Sequence, residues 1–113
     1  MLLTTTKEKD LLVVTLTTKE ASLKNSEEFK TAMSQFLEEG HKKIVIDFRD
    51  VNYVDSSFLG ALVSSLKLAM ANHAEMFLSN LNKDVYNLLQ LIRIDKVFTI
   101  YKDNEEALKQ SHN

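Results

Sequence analysis

Val51-Asn52-Tyr53-Val54-Asp55-Ser56-Ser57-Phe58-Leu59-Gly60-Ala61-Leu62-Val63 is the stretch in which the backbone of this chain changes state. Before it, Lys43-Ile-Val-Ile-Asp-Phe48 is a short unbroken apolar run with charged flanks. Such a run predicts a strand covered on both sides, as in a parallel sheet. After it, Leu59, Leu62, Val63, Leu66 and Ala69 recur at helical spacing and predict an amphipathic helix from about Ser57 to Asn72. Asp55, Ser56 and Ser57 therefore stand at the mouth of a helix, where the first N–H groups lack intrahelical partners. That position suits a side-chain cap, and equally an anion or a phosphate ester.

Outward from this centre, strand and helix patterns alternate. Leu2–Thr6 and Leu11–Thr17 are β-rich runs joined by a polar hairpin loop, Lys7-Glu8-Lys9-Asp10. Thr18–Lys24 is a polar loop. Asn25 then opens a helix as its N-cap, with Glu28 three residues on in a near capping box. Phe29, Ala32, Met33, Phe36 and Leu37 form its apolar stripe, and Gly40 provides a left-handed stop. Beyond the central helix, Ala74–Ser79 is a strand and Asn82–Leu91 a helix. Leu81, Val85, Leu88, Leu89 and Ile92 lie on one side of that helix. Val97–Tyr101 is a strand, and Asp103 begins a last, mostly polar helix, with Glu106 completing a second capping-box pattern. The order β-β-α-β-α-β-α-β-α predicts an α/β fold. Its mixed central sheet has an antiparallel N-terminal edge strand and about four helices. Residues 1–113 read as one domain, with no repeat, linker or low-complexity tract.

The 113 residues are enough to bury roughly two-thirds of the unfolded surface in one core. The 44% apolar and 27% charged fractions are ordinary for a soluble globular protein. A net charge of −2, with basic residues scattered among acidic ones, gives no stripe for direct nucleic-acid binding. No cysteine is present, which excludes disulfides, thiolate catalysis and cysteine-ligated metals. Met1–Lys7 has no cationic lead or long apolar run, so neither a secretory signal nor membrane insertion is expected, and a cytoplasmic location is.

Catalytic chemistry needs convergent reactive groups, and the sequence offers none. His41, His73 and His112 sit in loops or the tail at no metal-binding spacing, and read as solvent-exposed. Ser56 and Ser57 have no base at a recognisable spacing and no Gly-x-Ser-x-Gly elbow. Gly40 and Gly60 are too few for a phosphate-cradling loop. Asp47, at the end of the central strand, is similar in position to the phospho-acceptor aspartate of response-regulator receivers. The acidic cluster that would hold magnesium is missing. No catalytic residue, metal or cofactor is assigned.

A phosphate on Ser56 adds about −1.5 to −2 charge where oriented N–H groups and the helix dipole tolerate it. Modification there changes a surface patch while leaving the fold intact, which suits a binding switch. Gly60, in the first turn, costs ~1 kcal/mol against alanine. Close approach of a neighbouring element or of a partner's backbone would compensate. Phe58 precedes the apolar stripe and stands either at the rim, as a contact anchor, or over Leu62 in the core.

The run Ile44–Gly60 resembles the signature of STAS domains, specifically the bacterial anti-sigma factor antagonists. Phe77-Leu-Ser-Asn-Leu81 is similar to that family's fourth strand, and Leu88–Phe98 to its closing segment. The resemblance covers nearly the whole chain. It implies a non-enzymatic partner-switching protein. When unphosphorylated, such a protein binds an anti-sigma factor that is also a serine kinase, and so frees a sigma factor for transcription. The kinase phosphorylates the serine after the motif's aspartate, which is Ser56, and a serine phosphatase reverses this. Asp55 would shape the turn and join the partner contact, with Ser57, Phe58, Leu59, Gly60 and, from the preceding loop, Glu20. In two places the chain departs from the family pattern. Phe58 stands where the family usually has glycine, and Thr18–Ser22 lacks the family's Gly-x-x-Asp type turn. A second reading is a constitutive STAS scaffold, or an accessory subunit of a signalling complex or a membrane transporter. A third is a receiver-type enzyme using Asp47.

Overall fold

Leu11–Leu16 and Lys43–Asp47 carry apolar side chains on both strand faces, so both need cover, and the layering follows from that. The computed structural model describes residues 2–111. Its elements run β1 (Leu3–Glu8), β2 (Leu11–Leu16), β3 (Glu20–Ala21), α1 (Leu23–Glu38), β4 (Lys43–Asp47) and β5 (Tyr53–Val54). They continue with α2 (Ser56–Ala71), β6 (Glu75–Ser79), α3 (Lys83–Leu91), a 3-10 turn (Ile94–Lys96), β7 (Thr99–Tyr101) and α4 (Asn104–Ser111). Five strands form one sheet in the order β1-β2-β4-β6-β7. β1 is antiparallel to β2, and the remaining neighbours are parallel. The mixed α/β sheet with an antiparallel N-terminal edge and four helices is thus the architecture expected.

One face of the sheet, with Leu12, Val14, Ile44, Ile46, Met76 and Leu78, carries the main core. Phe29, Met33 and Leu37 of α1, Phe58, Leu62 and Leu66 of α2, and Val85 and Leu89 of α3 pack on it. The other face, with Leu11, Val13, Val45 and Phe77, is covered by Ala107 and Leu108 of α4. α4 is polar apart from Ala107 and Leu108, and it lies on the surface with Ala107 fully buried beneath it as the lid of the second face.

Asp47 explains how α4 is held. Its carboxylate is completely buried at the end of β4 and accepts from Arg49 N–H (2.9 Å), Arg49 Nε (2.9 Å), Asn80 Nδ2 (3.0 Å) and Asn104 Nδ2 (2.8 Å). Asn104, the first residue of α4, also accepts from Ser79 Oγ at 2.5 Å. Burial acts to raise the Asp47 pKa. The Arg49 N–H, the Asn80 and Asn104 amides and the Arg49 charge outweigh it, leaving the group below the ordinary carboxylate range.

Several local expectations change. The hairpin turns at Lys9-Asp10, with Lys9 in the left-handed region (φ 57), so β1 extends through Glu8. Thr18–Lys24 is not all loop, since β3 lies within it and α1 begins at Leu23. Asn25, expected to be the N-cap, is the third helical residue. Its Oδ1 accepts from the N–H of Ser22, the actual N-cap, at 3.1 Å. Ile92, expected on the apolar side of α3, is exposed. His41 is half-buried, its ring edge-on to Phe36 with centroids 6.1 Å apart, rather than solvent-exposed, while His73 is exposed. His112 lies outside the described residues.

Candidate functional site

The two-residue strands β3 and β5 pair in parallel, Glu20 with Tyr53 and Ala21 with Val54. Asn52 and Tyr53 donate their N–H groups to Lys19 O at 2.8 and 3.2 Å, and Asp55 N–H donates to Ala21 O at 3.0 Å. Ala21 and Val54 are buried, while Glu20 and Tyr53 face outward. Each strand runs almost directly into a helix, α1 at Leu23 and α2 at Ser56. The ribbon therefore sets two helix N-termini side by side.

Asp55 joins them. Its Oδ1 accepts from Phe58 N–H at 2.9 Å, the ordinary N-cap bond of α2. Its Oδ2 accepts from Leu23 N–H at 2.9 Å, the first helical residue of α1. One carboxylate caps both helices. The Phe58 N–H, then the Leu23 N–H, hold Asp55 below the usual carboxylate range. Partial burial opposes this, and the Ser57 N–H adds to the lowering. Asp55 is accordingly ionised at neutral pH, an anion at the positive ends of two helix dipoles. The sequence offered Asp55, Ser56 and Ser57 together at a capping position, and the structure gives the cap of α2 to Asp55. Its second bond spans 32 residues and had no local signal.

The side chain of Ser56, the first residue of α2, is exposed, and that of Ser57 is half-buried. Phe58 is fully buried and packs on Phe29 with ring centroids 4.9 Å apart. The core alternative for Phe58 holds, and the expected surface contact does not. Bulk at this position goes inward, so the exposed surface gains nothing from it. Leu59 is also buried and has no side chain to offer a partner. Gly60 is exposed, and a Cβ built on it would meet nothing within 4 Å. No neighbouring element approaches it, so the first of the two compensations considered for this glycine is absent. We expect Gly60→Ala to stabilise the isolated protein by about 1 kcal/mol, measured by urea unfolding. A destabilised variant would mean that the glycine serves the fold.

Of the residues expected at the site, the fold brings Asp55, Ser56, Ser57, Gly60 and Glu20 to one exposed corner. Leu23 and Tyr53, both largely exposed there, were missed. Leu23 was read as loop, and Tyr53 carried no periodic signal. The receiver-type reading of Asp47 is overturned, because a buried carboxylate filled by donors cannot attack a phosphodonor. Among the described residues, no three histidine or acidic side chains converge as a metal would require. No helix of the described residues is long and apolar enough to cross a membrane.

The family model for the STAS domain matches residues 3–107. The chain belongs to the STAS family. A Thermotoga maritima relative, provisionally named an anti-sigma factor antagonist, is 30% identical over 102 residues, 89% of this chain and 90% of the relative. A crystal structure under the same provisional name from Thermotoga maritima superposes with a TM-score of 0.86 at 27% identity, covering 98% of this chain and 95% of that one. The anti-sigma factor antagonist SpoIIAA shares the fold at 17% identity. Its unphosphorylated form has a TM-score of 0.76 and covers 98% of both chains. The Bacillus protein has also been solved in a phosphorylated form, with a TM-score of 0.72, covering 96% of this chain and 98% of that one. These relatives place this STAS domain among the anti-sigma factor antagonists.

Proposed function

We propose that this STAS protein is a cytoplasmic anti-sigma factor antagonist switched by phosphorylation of Ser56. Unmodified, it binds an anti-sigma factor that is also a serine kinase, and the sigma factor so freed acts in transcription. The observation that carries the reading is an exposed hydroxyl at the mouth of α2, beside a carboxylate that fixes the backbone around it. In the modifying step the Ser56 Oγ attacks the γ-phosphorus of ATP. Its proton passes to a base that the kinase supplies, and ADP leaves. The phosphatase returns the hydroxyl by transferring the phosphoryl group to water.

Phosphate at this position meets two opposing fields. The N-termini of α1 and α2 favour it, and the ionised Asp55 next to it repels it. The fold tolerates the group because Ser56 points to solvent, while the surface changes sign and shape. Asp55, Ser57, Gly60 and Glu20 supply the surrounding contact surface, Gly60 through bare helix backbone.

Incubation with the cognate kinase and ATP, followed by peptide mapping, tests the modification. We expect a single phosphate on Ser56 and none in Ser56→Ala. An unmodified Ser56, under conditions where the kinase is active on another substrate, overturns the reading.

A further inference from the structure

The Ser56 hydroxyl and the Leu23 side chain stand at adjoining helix starts. The β3–β5 register sets the starts of α1 and α2 next to each other. Asp55 Oδ2 closes on the Leu23 N–H at 2.9 Å. Leu23 is 69% exposed and Tyr53 is 55% exposed. The core needs neither, since α1 buries Phe29, Met33 and Leu37, and β5 buries Val54. Alternation along β5 puts Tyr53 and Asp55 on the same outer side of the ribbon. A standard interface takes roughly 800 Å² from each partner. A patch of that size centred on Ser56 has room for both residues, since Tyr53 is three positions away and Leu23 is bonded to the neighbouring Asp55.

We propose that Leu23 and Tyr53 are the apolar anchors through which the anti-sigma factor docks on this protein, with Ser56 as the group it reads beside them. The inference rests on the preceding assignment of Ser56 and adds the surface on which it acts. The charges around the ribbon balance. Glu20 and Asp55 are offset by Lys19 and Lys24, which line the adjoining groove. Long-range attraction is therefore weak here, and affinity comes from excluding water at the apolar pair. The partner surface this fits is an apolar cleft able to receive a tyrosine ring, with backbone passing close over Gly60. Tyrosine suits the centre of such a contact, having large area and few torsions to order. Release then has a physical cause. A phosphate dianion beside the anchors would have to shed its water when the apolar surfaces close, without a buried cation to pair with.

The test is calorimetric titration of the cognate anti-sigma factor with wild type, Tyr53→Ala, Leu23→Ser and Ser56→Glu, each checked for native melting. We expect Tyr53→Ala and Leu23→Ser each to weaken binding at least about tenfold, and Ser56→Glu to weaken it further. Raising salt from about 0.1 to 0.5 M should change wild-type affinity only a few-fold. If Ser56→Glu abolishes binding while both apolar variants bind as wild type, the anchors are wrong and the Ser56 assignment stands. If Ser56→Glu binds as wild type, the Ser56 assignment itself fails, and this inference with it. Self-association that is lost in Tyr53→Ala, with affinity for the partner unchanged, would assign the patch to a second copy and overturn the proposal.

Discussion

Phe58→Ala is expected to lower the unfolding free energy by about 3–5 kcal/mol, the usual cost of emptying a fully buried phenylalanine site. Phe58 has no exposed surface, and its ring lies 4.9 Å from that of Phe29 at an interplanar angle of 49°. Truncation removes the transfer free energy of the ring, leaves a cavity between α1 and α2, and abolishes a ring pair contributing ~1 kcal/mol beyond its area. Domains of this size are stable by only about 5–15 kcal/mol. Much of the stability therefore rests on one side chain two residues from Ser56. Glycine at this position would cost about 1 kcal/mol more than alanine because it also loosens the first turn of α2. Urea unfolding at pH 7 measures this. A loss below about 1 kcal/mol would show that the ring is not the wedge between the two helices.

Asp47→Asn is expected to be the second large loss, about 2–3 kcal/mol at pH 7, and to be pH-dependent. The amide presents N–H to groups that donated to the carboxylate, such as Arg49 Nε and Asn104 Nδ2, so at a buried position donor faces donor. The sign with pH follows from the lowered pKa of Asp47 in the folded state, against a model value of 3.8. A carboxylate with a depressed folded pKa gives stability that is full above its unfolded pKa. That stability is lost as pH falls through the folded pKa. Wild type should therefore lose stability on acidification below about pH 4, whereas Asp47→Asn lacks this part of the loss, and the two should converge. Unfolding curves at pH 7 and pH 3 decide it. A gap that widens in acid would contradict the hub. α4 should be the element released first, since Asn104 ties its first turn to Asp47. Hydrogen exchange in 104–111 reports that directly.

The elements legible in the sequence were those whose cause is local. Lys43–Asp47 could be recognised because a five-residue apolar strand covered on both faces has few alternatives. The central helix followed from the spacing of Leu59, Leu62 and Leu66, and a cap somewhere in Asp55–Ser57 from their place before them. What escaped had distant causes. α1 starts two residues before Asn25 because Asp55 supplies an acceptor for Leu23, and no window around Asn25 contains that information. β3 and β5 are two residues each, too short for any periodicity, and exist because each gives the other its hydrogen-bond partners. Phe58 satisfied both of its readings locally, and only the position of Phe29 on a different helix decides between them. At the site, the hydroxyl and the carboxylate were visible as chemistry. Leu23 and Tyr53 were not, because exposure of an apolar residue is a property of the folded surface.

If phosphate on Ser56 changes a surface without changing the fold, affinity and melting must respond differently to it. The Ser56-phosphorylated and unmodified proteins are titrated with the anti-sigma factor, and each is melted alone. We expect an affinity at least about 100-fold weaker for the phosphorylated form, about 3 kcal/mol, with a melting temperature within a few degrees of the unmodified protein. Equal affinities would contradict the switch. Binding lost together with a collapse in melting temperature would contradict the mechanism, since the phosphate would then act by unfolding the helix mouth that Asp55 holds.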